Sequence, residues 1–211
     1  MTQSKTAPPD HTLDTPGTRR GPAESLADLM AGNRRFVAGR PRYGHHVAEA
    51  ASRSGGQEPY AVVLGCIDSR VPLEAVFDQN FGSICVVRSG AHVLDRSVVG
   101  SVEFAVSELH ASLVMVLGHE RCGAVAATVD ALRTGSRPDG FMGYLVDQIA
   151  PAVTEAGLND AQVQAKALRR HVTRTAEQLR LADRLAQAAA AGRVQIVGAV
   201  YDLDTGVVDL L

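Results

Sequence analysis

The chain has 211 residues, of which 45% are apolar and 21% charged, and its formal net charge is -2. These are the proportions of an ordinary globular protein long enough to bury a substantial core. The near-neutral balance, the lack of a concentrated Lys/Arg block and the absence of Trp argue against nucleic acid or an anionic membrane as partner.

In chain order, residues 1–22 are rich in Pro, Thr and Asp without periodicity, which predicts a disordered or extended arm. The rest, 23–211, is expected to form one α/β domain. The N-terminal stretch lacks the apolar centre of a secretory signal, and no apolar run approaches the roughly 20 residues that span a bilayer. A cytoplasmic location is the resulting expectation. Ser25 is a candidate cap for an amphipathic helix over about 24–38, whose stripe is Leu26, Leu29, Met30, Asn33 and Val37. The following "GRPRYGHHV" reads as a loop, with His45 and His46 on the surface.

Four apolar runs of strand length come next: "YAVVLG" (60–65), "SICVV" (83–87), "SLVMVLG" (112–118) and "VQIVGAVYDL" (194–203). Continuous apolar strands imply burial on both faces and a mainly parallel sheet. Helices are predicted between them. One carries Val98, Val102, Ala105 and Leu109 on a single face, another is "GAVAATVDAL", and a long Ala- and Leu-rich stretch covers about 160–191. His110 and His171 are expected at surface or interface positions on helices, and Cys85 as a packing residue. "DTGVV" suggests a turn into a short final strand. The fold class is thus α/β, a parallel sheet of order 2-1-3-4 plus a short C-terminal strand, flanked by helices and preceded by a helical arm.

Three cysteines are too few for a disulfide framework. Cys85 has no polar company, but Cys66 lies in "GCIDSRV" and Cys122 in "GHERCGAV", each at the end of an apolar strand. If a helix starts at the second stretch, His119 and Cys122 share a face, and the helix N-terminus favours the Cys122 thiolate. In a 2-1-3-4 sheet strands one and three are neighbours, and the crevice at their carboxyl ends is where such folds bind ligands. Two thiolates and an imidazole there suit a tetrahedral zinc ion with one open position. Taken singly, each element has a plainer explanation. The thiols serve as small core residues, His119 as a hydrogen-bonding group, and Asp68 with Arg70 as a brace for the loop.

Together, "GCIDSRVP", "GHERCGAV" and the intervening "VFDQNFG", "VVR" and "GSVEFAV" resemble the β-class carbonic anhydrases over roughly residues 25–208. The resemblance implies Cys66, His119 and Cys122 as ligands of Zn2+, and Asp68 and Arg70 as a catalytic dyad. It further implies reversible hydration of carbon dioxide to bicarbonate and a proton, by zinc-bound hydroxide that Asp68 orients. In a closed state Asp68 becomes the fourth ligand. Gln57, Gly90 and Phe104 fall at substrate-pocket positions, and the N-terminal helix is expected to wrap a second subunit in a homodimer or dimer of dimers.

The chain also departs from the family pattern. "RSGAHV" (88–93) stands for the usual R-x-A-G-N, Phe104 for a frequent tyrosine, and Val63 for the tryptophan of the bicarbonate-inhibited branch. His92 is weighed as a proton shuttle against a structural role. The competing functions are hydrolysis of carbonyl sulfide or carbon disulfide, and a catalytically silent zinc-bearing sensor.

Overall fold

A computed structural model describes residues 20–211. The expected arm therefore lies almost wholly outside the described residues. The first helix, α1, runs Pro22–Val37 from an N-cap at Gly21, with Pro at its first position, where a missing N–H costs nothing. Ser25 is thus not the cap. It is buried inside the helix, and its hydroxyl meets that of Ser112 at 2.7 Å.

Five strands form one sheet of order β2-β1-β3-β4-β5. They are β1 (Ala61–Cys66), β2 (Ile84–Ser89), β3 (Leu113–His119), β4 (Gln195–Tyr201) and β5 (Val208–Leu210). The first four are parallel and β5 is antiparallel to β4. Every residue of β1 and β3 is buried. Alternation sorts them onto two cores. Val62, Leu64, Val114 and Val116 face one helical layer, while Ala61, Val63, Leu113 and Met115 face the other. The strand-length apolar runs therefore mark the central strands, as both-face burial demands. On the edge, β2 is only half-buried.

On the second core's side lie α1 and the one-turn α3 (Leu73–Val76), and between them in the chain the six-residue α2 (Val47–Ser52) buries no residue. Leu29 anchors α1 in that core. Asn33 ties it down by donating to Val76 O and Gly206 O and accepting from Val208 N. At Gly32 a Cβ would lie 1.7 Å from Phe77 O, so only glycine permits this approach. In the described chain α1 docks on its own sheet.

The opposite face carries α4 (Arg96–Ser107), α5 (Gly123–Thr134), α6 (Phe141–Ala156), α7 (Val163–Leu181) and α8 (Asp183–Ala190). Asp95 caps α4 by accepting from Val98 N at 2.8 Å. The predicted stretch 160–191 is two helices, broken where Ala182 turns extended (ψ 125). α7 crosses close to the sheet because β3 and β4 offer glycines beneath it. Cβ atoms at Gly118 and Gly198 would lie 2.5 and 2.9 Å from Val172.

Candidate active site

Cys66 is the last residue of β1 and His119 the last of β3, so the parallel pairing brings them to one end of the sheet. Cys122 is the N-cap of α5, three residues on. His119 and Cys122 therefore meet across a tight turn, not along a helix face as the spacing suggested. Arg121 in that turn has a positive φ of 52°. Its guanidinium is held by both carboxylate oxygens of Asp204, at 2.8 Å each.

The two sulfurs and a ring nitrogen of His119 lie within 4.8 Å of one another, and all three residues are buried. His119 Nδ1 donates to Glu120 O at 2.9 Å, which leaves Nε2 as an unprotonated acceptor in neutral imidazole. Among the described residues that Nε2 is buried without a hydrogen-bond partner. A buried lone pair beside two thiols is costly unless something uses it, and this donor set could hold a metal ion.

The thiols behave as one site sharing a proton. The Cys122 thiol donating to Cys66 outweighs burial and brings the Cys66 pKa down to about 4, with help from His119 and the Ala91 N–H. The same bond, with burial, pushes Cys122 up. Burial lowers the His119 pKa, but the adjoining Cys66 thiolate more than reverses this, so the net shift is upward.

Asp68 lies in the loop after β1. Arg70 grips it with three hydrogen bonds: Nε to Oδ1 at 3.0 Å, Nη2 to Oδ2 at 2.8 Å, and its backbone N to Oδ1 at 2.9 Å. The side-chain bonds from Arg70 hold the Asp68 carboxyl far below the usual carboxylate range. Asp68 Oδ2 is 3.8 Å from His119 Nε2, so the carboxylate borders the three-donor set while paired to Arg70.

Several groups that shape the site are not evident from spacing. Arg88, from β2, donates to the backbone oxygens of Cys66 (2.8 Å) and Asp68 (2.6 Å) and so clamps the loop. Ala91 N donates to Cys66 Sγ at 3.3 Å. His92 and His171 stack in the core, 1% and 4% exposed, with ring centroids 4.6 Å apart. His171 is thus not a surface group. Its signal is present in the sequence, because it falls in the buried stripe Leu168, Val172, Thr175, Ala176 and Leu179 of α7. Burial also lowers the His92 pKa well below its ordinary value, and its seclusion from solvent and stacking on His171 fit a structural role better than a shuttle.

The positions assigned to the pocket scatter. Gly90 lies one residue before Ala91, where a Cβ would press on Leu145 at 2.7 Å. Gln57 and Phe104 are exposed and lie elsewhere. Gln57 lines a shallow surface hollow with Arg53, Ser54, Phe81 and Gly82. Cys85 is half-buried on β2, and His45, His46 and His110 are exposed.

A parallel α/β sheet with a buried Cys2His set at the carboxyl ends of its strands, next to an ion-paired aspartate, defines a class of metal-binding enzyme site at a switch point. The comparisons narrow the class. Residues 61–208 match the family model described as carbonic anhydrase. The carbonic anhydrase of Mycolicibacterium smegmatis is 42% identical over 195 residues, covering 90% of this chain and 93% of that protein. Carbonic anhydrase 2 of Mycobacterium tuberculosis is 40% identical over 187 residues, covering 88% and 90%. Among solved structures, a tetrameric β-carbonic anhydrase of Sordaria macrospora superposes with a TM-score of 0.70 at 21% identity, covering 90% of this chain and 94% of that one. The chain belongs to the β-carbonic anhydrase family.

Proposed function

We propose that this enzyme is zinc-dependent and interconverts carbon dioxide with bicarbonate and a proton. The observation that carries the reading is an ionised Asp68 held by Arg70 at the border of a buried two-thiol, one-imidazole set. Such soft and borderline donors suit zinc, with Cys66, His119 and Cys122 as the ligands. When bound, zinc supplies the Lewis acidity that makes water a nucleophile near neutral pH.

The remaining steps belong to the chain. Asp68 accepts a hydrogen bond from the attacking oxygen and so turns a lone pair toward the carbon of the substrate. Arg70 fixes that carboxylate in place and lowers its pKa further below the usual range. The closed alternative, with Asp68 as fourth ligand, requires its hydrogen bonds from Arg70 to break. The Arg70 grip therefore favours a catalytic site over a silent sensor. Carbonyl sulfide and carbon disulfide are electrophiles of the same linear shape, and side-by-side turnover ranks the three substrates.

We assign Gly90 to the pocket wall, and Gln57 and Phe104 to a pocket completed by a second copy of the chain. Their exposure in one copy supports a homodimer or a dimer of dimers. Among the described residues no helix is long and apolar enough to cross a membrane, and we place the reaction in the cytoplasm.

The test is stopped-flow carbon dioxide hydration on zinc-quantified protein, from about pH 6.5 to about pH 9, where metal-activated water ionises. About one zinc per chain and a rate that rises with pH are expected, with zinc lost in Cys66→Ser. Full zinc without hydration would refute the reading.

A further inference from the structure

The backbone of Ala91 connects two groups that the mechanism leaves unrelated. Its N–H points at Cys66 Sγ (3.3 Å), and its C=O accepts from His171 Nε2 (3.0 Å). Because a carbonyl only accepts, the His171 proton sits on Nε2. Ala91 itself is in the left-handed region (φ 48°, ψ 42°), and His92 follows at φ 48°. Two consecutive non-glycine residues there are strained, and such backbone persists only where its surroundings hold it. In the family pattern R-x-A-G-N a glycine falls at this position, whereas this chain has Ala91. The conformation that glycine adopts freely must here be imposed by contacts.

α7 supplies them. The glycines under Val172 let the helix approach the sheet. His171 then reaches the Ala91 carbonyl, and its ring lies against His92 at an interplanar angle of 25°. Both imidazoles are buried, so the strut is shielded from water.

We propose that His171 is a positioning residue for the metal-ligand thiolate: by holding the Ala91 carbonyl it aims the Ala91 N–H at Cys66 and sets how strongly that sulfur donates to the metal. This rests on the reading of Cys66 as a metal ligand. An N–H bonded to a thiolate withdraws electron density from it, which leaves the metal a stronger Lewis acid. The loss of such a contact makes the sulfur a stronger donor and the metal a poorer activator of water.

The experiment replaces the metal with cobalt(II) and reads the thiolate-to-cobalt charge-transfer band beside carbon dioxide hydration by the zinc form. In His171→Phe the band moves to longer wavelength and kcat falls about tenfold, the lower end of what outer-sphere contacts are worth. His171→Gln, which keeps an N–H donor, restores both. So does adding Ala91→Gly to His171→Phe, because glycine adopts the left-handed turn without the strain that Ala91 needs a partner to hold. Ser25→Ala removes a buried hydrogen bond at the far end of the sheet and leaves the band in place.

A band unmoved in His171→Phe, or moved but not recovered by either rescue, overturns the positioning role. A cobalt-loaded wild type without any thiolate band overturns the metal reading and this inference with it. One measurement needs no variant. Cadmium-113-loaded wild type should show scalar coupling from the metal through Cys66 Sγ to the Ala91 amide proton, and its absence overturns the proposal.

Discussion

Asp68 is a carboxylate near neutral pH, and Arg70 fixes it by bonding to both of its oxygens. Asp68→Asn keeps the shape but removes the anionic acceptor. Hydration should fall by about 10²-fold or more, with zinc content unchanged by metal analysis. Arg70→Ala acts differently, because the carboxylate survives and loses its partner. With Oδ2 only 3.8 Å from His119 Nε2, Asp68 would then be free to turn toward a metal held by Cys66, His119 and Cys122. The expected result is low activity near neutral pH together with slower zinc release to a chelator than in the parent. His171 gives a second test at this scale. Burial brings its folded pKa down to about 4, below the ordinary value of about 6.5 that it regains on unfolding. Between these values the unfolded chain binds the extra proton. Stability therefore rises with pH through that window and is lost as pH falls below about 6.5, by at most about 1.4 kcal/mol per pH unit for this group. Urea midpoints at about pH 5 and about pH 7 should differ less in His171→Phe than in the parent, because the variant lacks this titration.

Elements place these residues, and β2 and α7 do much of it from beyond the two motifs that carry Cys66, His119 and Cys122. Arg88 reaches from β2 to the backbone oxygens of Cys66 and Asp68. Arg88→Gln should retain zinc, since no ligand is lost, and lower kcat by about tenfold through a loosened dyad loop. Zinc analysis beside stopped flow checks both halves. α7 depends on a close approach to the sheet. Gly118→Ala would set a methyl group 2.5 Å from Val172 and 2.9 Å from Leu168. Overpacking of this kind costs about 1–3 kcal/mol and should lower Tm by several degrees in calorimetry.

How much of this the sequence discloses follows from what each element needs. β1 to β4 are legible to within a residue or two because each is an unbroken apolar run, which burial on both faces forces in β1 and β3. Their order is legible too, since the two motifs must meet. α6 is not read from the sequence. It starts at Gly140 without a side-chain cap and contains Pro151, so the usual start and continuation signals are missing. The Ala182 break is equally silent, being a backbone turn inside an alanine-rich stretch. At the site, side chains at fixed spacing are legible, whereas the contacts of the Ala91 N–H and of Arg88 run to or through backbone atoms, which "RSGAHV" does not disclose.

At the scale of the whole molecule, Gln57 and Phe104 argue for assembly. Gln57 lies against Gly82, just ahead of β2, and Tyr60 N bonds to Ser83 O, so Gln57 sits at the amino end of the sheet. Phe104, 56% exposed, precedes Ala105, whose carbonyl accepts from Ala111 N as the chain turns into the amino end of β3. The proposed ligands Cys66, His119 and Cys122 are at the carboxyl end, and β1 alone spans roughly 17 Å at ~3.3 Å per residue. Neither residue can face its own chain's metal set, so a pocket role for them requires the amino end of one copy to approach the carboxyl end of another. A twofold interface does this reciprocally and completes two sites at once. The prediction is complementation. Gln57→Leu keeps its metal set but lacks the glutamine, while Cys66→Ser lacks a ligand but keeps the glutamine. Each homodimer should be weakly active or inactive, and a hybrid has one site with both parts intact. Random mixing makes half of the dimers hybrids, so the co-refolded mixture should recover about a quarter of parental hydration activity. A mixture no more active than its components, with dimers present by mass, would remove Gln57 from the pocket.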